Sequence, residues 1–308
     1  MATFCHESRR PEGSGSRSDL GYHFRRMPHP QFTILLARQR SGTNALSSVL
    51  GTNPEIFCFD EVFRLDDLIR PDPLQIRGNY FTFLEEYAAG DVTRTFPDRH
   101  AQVFADYLAH LAALARTRLI VMDVKYNSTH HISGVWRPIA QPTLFDYIKS
   151  SRVAVLHLVR RNYLRGLLSH LKAWESKRYY IFDGAAPPDV RIPVPLPWAL
   201  HEMERWRSED DSVAAAFDDY PFYKRVEYST LFPDPSGSIP AAALADLRAW
   251  FDVPDAFANR ASLTKQSSLP LAETIENMDE VVSALRGTPF EHCLDDEPAY
   301  RGAAGNPG

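Results

Sequence analysis

Five residues, 38–42 (RQRSG), stand between an apolar run, Phe32–Ala37, and a helical pattern, Thr43–Leu50, and their types are those that retain an anion. A turn between strand and helix aims the first backbone N–H groups of the helix, and the positive end of its dipole, at one point. Arg40 adds a permanent charge with a planar fork of donors and Arg38 a second cation. Ser41, Thr43 and Asn44 add short polar groups that reach oxygens of the same anion, and Gly42 lies in the turn. The chemistry is the holding of a phosphate or a sulfate.

Residues 152–174 repeat the design. An apolar strand, 153–159, ends in Arg160 and Arg161 and leads into a helix carrying Ser169, eight residues beyond Arg161. Two helical turns rise about 12 Å, so the arginine at the strand mouth and the serine along the helix suit a phosphate lying against that helix. The first loop nearly matches the nucleotide-binding pattern G-x-x-x-x-G-K-[ST]. Ala37 replaces its first glycine, and Thr43 and Asn44 stand where lysine and Ser/Thr belong. Without that lysine a triphosphate loses its main clamp, whereas a phosphate monoester carrying a sulfuryl group is still held.

In these segments the chain resembles the sulfotransferase superfamily that uses 3′-phosphoadenosine 5′-phosphosulfate (PAPS). Arg40, Ser41, Gly42, Thr43 and Leu46 fit P-[RK]-S-G-[ST]-x-x-L, with Gln39 in place of proline. Arg161 and Ser169 fit the spacing of R-D-P-R-D-x-x-x-S, with Asn162 where Asp is frequent. The resemblance implies that Arg38, Arg40, Ser41, Gly42, Thr43 and Asn44 hold the 5′-phosphosulfate, and that Arg161 and Ser169 hold the 3′-phosphate. Bacterial carbohydrate sulfotransferases of the trehalose and nodulation-factor type carry G-E-x-F with Glu as base. Here residues 60–63 read DEVF, so Glu61 matches and Asp60 replaces the glycine.

Sulfuryl transfer to an alcohol needs a base for the hydroxyl proton and cations on the bridging and sulfonyl oxygens. Glu61 is the candidate base, with His130 as the alternative; an acidic surface turn is the competing reading of residues 60 and 61. Lys125, at the end of VMDVK, resembles the G-x-K-x-M segment of the same family, which implies a contact with the transferring group or the acceptor. Lys265 precedes a segment resembling I-x-N-x-x-E and is placed over the nucleotide. The implied reaction is in-line displacement from PAPS, with no metal, onto a hydroxyl of a carbohydrate or glycolipid. Trp174, Tyr179 and Tyr180, interleaved with Lys177 and Arg178, are candidates for the acceptor pocket. A P-loop-like nucleotide-dependent kinase and a non-catalytic nucleotide- or glycan-binding descendant remain as alternatives.

The elements that position these residues alternate in type. Besides the strands at Phe32–Ala37 and 153–159, apolar runs predict a short strand and turn at 56–63, a strand at Leu119–Lys125 and a short strand-like run at 223–228. Helical periodicity predicts helices at 99–116, 142–149 (with Pro142 in first position), 197–220 and 240–251. That rhythm predicts an α/β fold, a mostly parallel sheet flanked by helices of the P-loop-like sulfotransferase type. Residues 1–30 read as a flexible leader, 31–296 as a single domain and 297–308 as a flexible tail.

With 308 residues, 44% of them hydrophobic, the chain can bury a large core. Its net charge of −5 shows no basic run, which argues against nucleic acid as a partner. Cys5, Cys58 and Cys293 are too few and too far apart for a disulfide framework. No stretch approaches the roughly 18 to 20 apolar residues of a membrane span, and residues 1–30 lack a signal-peptide core. A cytoplasmic enzyme without stable membrane insertion, acting on a small-molecule or glycan acceptor, is expected. Oligomeric state leaves no mark in the sequence.

Overall fold

The computed structural model describes residues 28–65, 72–132, 142–176, 191–233, 236–261 and 269–295. Lys265, Tyr179, Tyr180, Lys177, Arg178, Cys5 and the tail at 297–308 lie outside the described residues, as does the leader up to residue 27. Five strands, β1 (Phe32–Ala37), β2 (Ile56–Glu61), β3 (Leu119–Lys125), β4 (Ala154–Val159) and β5 (Tyr223–Glu227), form one sheet in the order β2-β3-β1-β4-β5. Every neighbouring pair is parallel, so the fold is α/β with a wholly parallel sheet.

Helices carry the crossovers. They are α1 (Thr43–Leu50), α2 (Pro73–Gly78), α3 (Tyr80–Tyr87), α4 (His100–Ala115), α5 (Thr143–Ser150), α6 (Tyr163–Ser176), α7 (Leu196–Phe217), α8 (Tyr228–Leu231), α9 (Ala241–Phe251), α10 (Leu271–Thr274) and α11 (Met278–Leu285). Among the described residues no helix is long and apolar enough to cross a membrane.

Both faces of the sheet are covered, which is why its strands read as unbroken apolar runs. Ile34 and Leu36 of β1 pack with Phe104, Leu111, Ile148, Val213 and Phe217 on one side. Leu35 and Ala37 pack with Leu46, Leu50, Leu247 and Phe251 on the other. A third cluster joins Leu164 and Leu167 of α6 to Met203 and Trp206 of α7 and to Ile275 and Val281 near the C-terminal end.

Central β1 pairs Leu35 with Asp123, and Ala37 with both Lys125 and Leu158. The carboxyl ends of β1, β3 and β4 therefore share one edge, where ligands bind in open α/β sheets.

The boundaries depart from expectation in small, explicable ways. Pro142 is extended and caps α5, so Thr143 is its first residue. Tyr228 leaves the expected strand to open α8. Helices α2 and α3, of six and eight residues, were not expected.

Candidate functional site

The loop after β1 is curled by two left-handed residues, Arg40 at φ 68° and Gly42 at φ 90°. Backbone N–H groups in such a turn converge on one concavity and favour an anion. Gly42 is the N-cap of α1 and has no side chain with which to cap it, and the first turn holds no acid. The helix's first N–H groups, which lack intrahelical partners, are thus presented to an incoming anion.

Gly42 is also sterically fixed. A Cβ there would lie 2.6 and 2.8 Å from two ring carbons of the buried Tyr228. Gly42→Ala should destabilise the fold by about 1–3 kcal/mol for the backbone alone, read as a lower midpoint in chemical denaturation. An unchanged midpoint would show that the loop relaxes freely.

The two basic turns meet. Arg40 Nε donates to Ser169 Oγ at 3.1 Å, joining the first loop to the middle of α6. Arg160 Nη1 donates to the carbonyl of Arg40 at 3.3 Å. The Arg160 guanidinium also lies 4.5 Å from the centre of the Tyr228 ring, the ring that packs on Gly42. Asn162 Oδ1 accepts from the Arg165 N–H at 3.0 Å as α6 begins, the capping bond that Asn forms at helix starts.

Arg161 is exposed and pairs with Glu227 at 2.7 Å. Its carbonyl accepts from His292 Nε2 at 3.4 Å and Cys293 Sγ at 3.6 Å, both on a one-turn helix at Glu291–Leu294. Ser169, expected beside Arg161, is held instead by the first loop through Arg40.

At the other end of the cradle Glu61 faces Lys125, a consequence of one irregularity in β2. Phe59 pairs with Met122 but Glu61 pairs with Asp123, so Asp60 is an extra residue. Side chains alternate between faces, and a bulge resets that alternation. Phe59 and Met122 lie in the α4-side core and Val121 in the α1-side core. The bulge therefore turns Glu61 to the α1 side, where Thr43 and the loop at 38–42 lie. Gln75 of α2 holds it there, accepting from the Asp60 N–H at 2.8 Å and donating to the Cys58 carbonyl at 3.1 Å.

Lys125 Nζ donates to Thr43 Oγ1 at 2.5 Å and to both oxygens of Asp123 at 2.6 and 2.5 Å, and lies 3.9 Å from Glu61 Oε1. All three of Thr43, Asp123 and Lys125 are buried. Burial raises the Glu61 carboxyl above its ordinary value, outweighing the opposing pull of Lys125. His130 is half-buried, and burial followed by the neighbouring His131 lowers its pKa; His131 Nδ1 bonds the carbonyl of Phe63 at 2.9 Å. Among the described residues no group of three or more His, Cys, Asp or Glu side chains could hold a metal ion.

Arg38 differs from the expectation that it faces the anion. Its Nη1 bonds Glu209, its Nη2 donates to the Trp206 carbonyl at 2.8 Å and lies 3.5 Å from Asp210 Oδ1, and its guanidinium is flanked by the Tyr126 and Trp206 rings. Its terminal nitrogens are committed to α7. Asp210 also accepts from Tyr126 at 2.8 Å and Tyr163 at 3.1 Å. Tyr126 in turn bonds His157 Nε2, whose Nδ1 lies 2.7 Å from the Tyr223 hydroxyl.

This buried network makes acid stability depend on His157, whose pKa falls to about 3 through burial first and then Arg225 and Arg38. The unfolded chain takes up that proton near the ordinary value of about 6.5, so its contribution is complete above that pH. It is lost as pH falls toward 3, at a limiting slope of about 1.4 kcal/mol per pH unit. His157→Gln should flatten stability between roughly pH 6.5 and 5, measured by urea unfolding. A slope equal to that of the parent would sink this account.

Sequence reading missed Asp123, Tyr228, Gln75 and Asp210. Asp123, an acid inside the buried apolar run Leu119–Lys125, was the only one of them that carried a signal.

Set against known proteins, the chain matches no family model. It is 25% identical over 283 residues to nodulation protein H of Rhizobium tropici, covering 90% of this chain and 98% of that protein. It is 26% identical over 274 residues to nodulation protein H of Rhizobium meliloti (strain 1021), covering 86% and 96%. Among solved structures, a sulfotransferase from Alicyclobacillus acidocaldarius superposes with a TM-score of 0.42 at 12% identity, over 89% of this chain and 99% of that one. The chain is thus similar to nodulation protein H over nearly the whole length of both proteins.

Proposed function

We propose that the protein is a PAPS-dependent sulfotransferase that moves the sulfuryl group onto a hydroxyl of a carbohydrate or glycolipid by in-line displacement. The observation that carries this reading is the junction of the two basic turns, in which Arg40 bonds Ser169 and Arg160 bonds the Arg40 carbonyl. One nucleotide bearing phosphates at both ends of its ribose would need such a continuous cationic wall, and the curled loop at Arg40 and Gly42 fits the anionic end.

Arg40 and the amides of residues 41–44 bind the 5′-phosphosulfate in this reading, with Ser41, Thr43 and Asn44 adding polar contacts. Arg161 and Ser169 bind the 3′-phosphate, Arg160 adds a further charge, and Lys265, which lies outside the described residues, is assigned to the nucleotide by the resemblance alone. Arg38 is a positioning residue that fastens the loop to α7. Glu61 takes the acceptor's proton, which its raised pKa favours. Lys125 faces the oxygens of the transferring group. Trp174, exposed on α6, offers an aromatic face to a sugar ring. The reading carries a cytoplasmic setting and no metal.

A thermal-shift titration tests the donor class. Adenosine 3′,5′-bisphosphate should stabilise the protein by about 2.7 kcal/mol at a hundredfold excess over its dissociation constant, and Arg161→Ala should abolish much of that gain. Stabilisation by magnesium-ADP alone would overturn the reading in favour of a kinase.

A further inference from the structure

P-loop nucleotide enzymes hold magnesium between the loop's Ser/Thr hydroxyl and an aspartate that ends a neighbouring apolar strand. Here Asn44 stands at the place of that hydroxyl and Thr43, one residue earlier, supplies the loop's hydroxyl instead, while β3 (LIVMDVK) runs parallel to β1 and brings Asp123 opposite Leu35. Between the two stands an ammonium. Lys125 Nζ touches Thr43 Oγ1 and both Asp123 oxygens, with Glu61 Oε1 at 3.9 Å. Two carboxylates and a hydroxyl form the hard oxygen set that suits a small divalent cation.

The lysine missing from the loop at position 43 and the cation missing from the aspartate are therefore supplied by one side chain, from the adjacent strand. We infer that Lys125 is the built-in cation of the donor cradle, occupying the place of a divalent metal, and that Asp123 is the positioning residue that holds it against Thr43. The inference deepens the sulfotransferase reading by assigning the source of positive charge at the transferring group.

The geometry explains why Lys125 is not an ordinary strand-end lysine. It is 4% exposed and Asp123 is 1% exposed, so neither charge is solvated and each needs the other. An ammonium so held is a fixed point charge, with three donors and no requirement for octahedral coordination or bound water. Asp123 neutralises it until an anion arrives and fixes its direction.

The test is made without nucleotide, so that its failure is separate from failure of the sulfotransferase reading. Binding of Mn²⁺ is followed by electron paramagnetic resonance and thermal shift in the full chain, in Lys125→Ala and in Lys125→Ala/Asp123→Asn. The parent should not bind Mn²⁺ at the cradle. Lys125→Ala should bind one ion and be stabilised by it, and adding Asp123→Asn should weaken that binding by about tenfold or more. If the alanine variant is recovered unfolded, Lys125→Ser leaves a hydroxyl for Asp123 and carries the same comparison. Mn²⁺ bound by the parent with an affinity that Asp123→Asn lowers, or no gain in binding on removing the lysine, would overturn the inference.

Discussion

Glu61→Gln should reduce kcat by about 10²–10⁴-fold while leaving the affinity for adenosine 3′,5′-bisphosphate within a factor of about two. Glutamine keeps the size and one acceptor oxygen of the side chain but cannot take a proton. The residue is suited to the task because burial raises its pKa and Lys125, 3.9 Å away, keeps the carboxylate from being lost altogether. The base form disappears as pH falls through that raised pKa, so kcat/KM should decline on the acid side above the usual carboxylate range. The glutamine variant should lack this limb. Single-turnover sulfation measured across pH decides the matter: normal turnover in Glu61→Gln removes the glutamate as base and moves attention to His130.

Arg40→Ala should lower kcat/KM by about 10²–10³-fold, the loss expected when one charged donor is removed from developing negative charge. Two effects combine. The variant loses the guanidinium, and it loses the bond from Arg40 Nε to Ser169 that ties the first loop to α6. Arg40→Lys separates them, because lysine keeps the charge but not the planar fork that bonds Ser169 and, in the proposed reading, the anion. It should recover only part of the activity, and Ser169→Ala should cost less than either Arg40 variant. Full activity in Arg40→Lys would mean that charge alone matters and that the link to α6 is incidental. Alanine and lysine keep a Cβ at the left-handed position of Arg40, so the backbone strain is common to both variants, and the folding stability of each is measured beside its activity.

The sequence by itself determined the main strands and the long helices, and placed two basic turns at strand ends. The apolar runs at Phe32–Ala37, Leu119–Lys125 and 153–159 had to be buried on both sides, which requires a parallel sheet with helices on each face. Two of them end in basic turns that open helices, and that pattern is local, written in consecutive residues. For this reason Arg40, Gly42 and Arg161 were legible as anion-site candidates.

What only the tertiary structure decided is how side chains far apart in sequence face one another. Lys125 and Thr43 are 82 positions apart and Arg40 and Ser169 are 129 apart, and no periodicity relates them. Arg38 and Arg40 look equivalent in the loop, yet one is drawn into the carboxylates of α7 and the other toward α6. Glu61 depended on a single extra residue. Strict alternation from Phe59 would have put it on the α4 side, and the bulge at Asp60, held by Gln75, puts it beside Lys125. Periodicity fixes which residues are buried because it follows from backbone geometry alone. Register, bulges and ion-pair choice depend on the competition among distant partners that folding resolves.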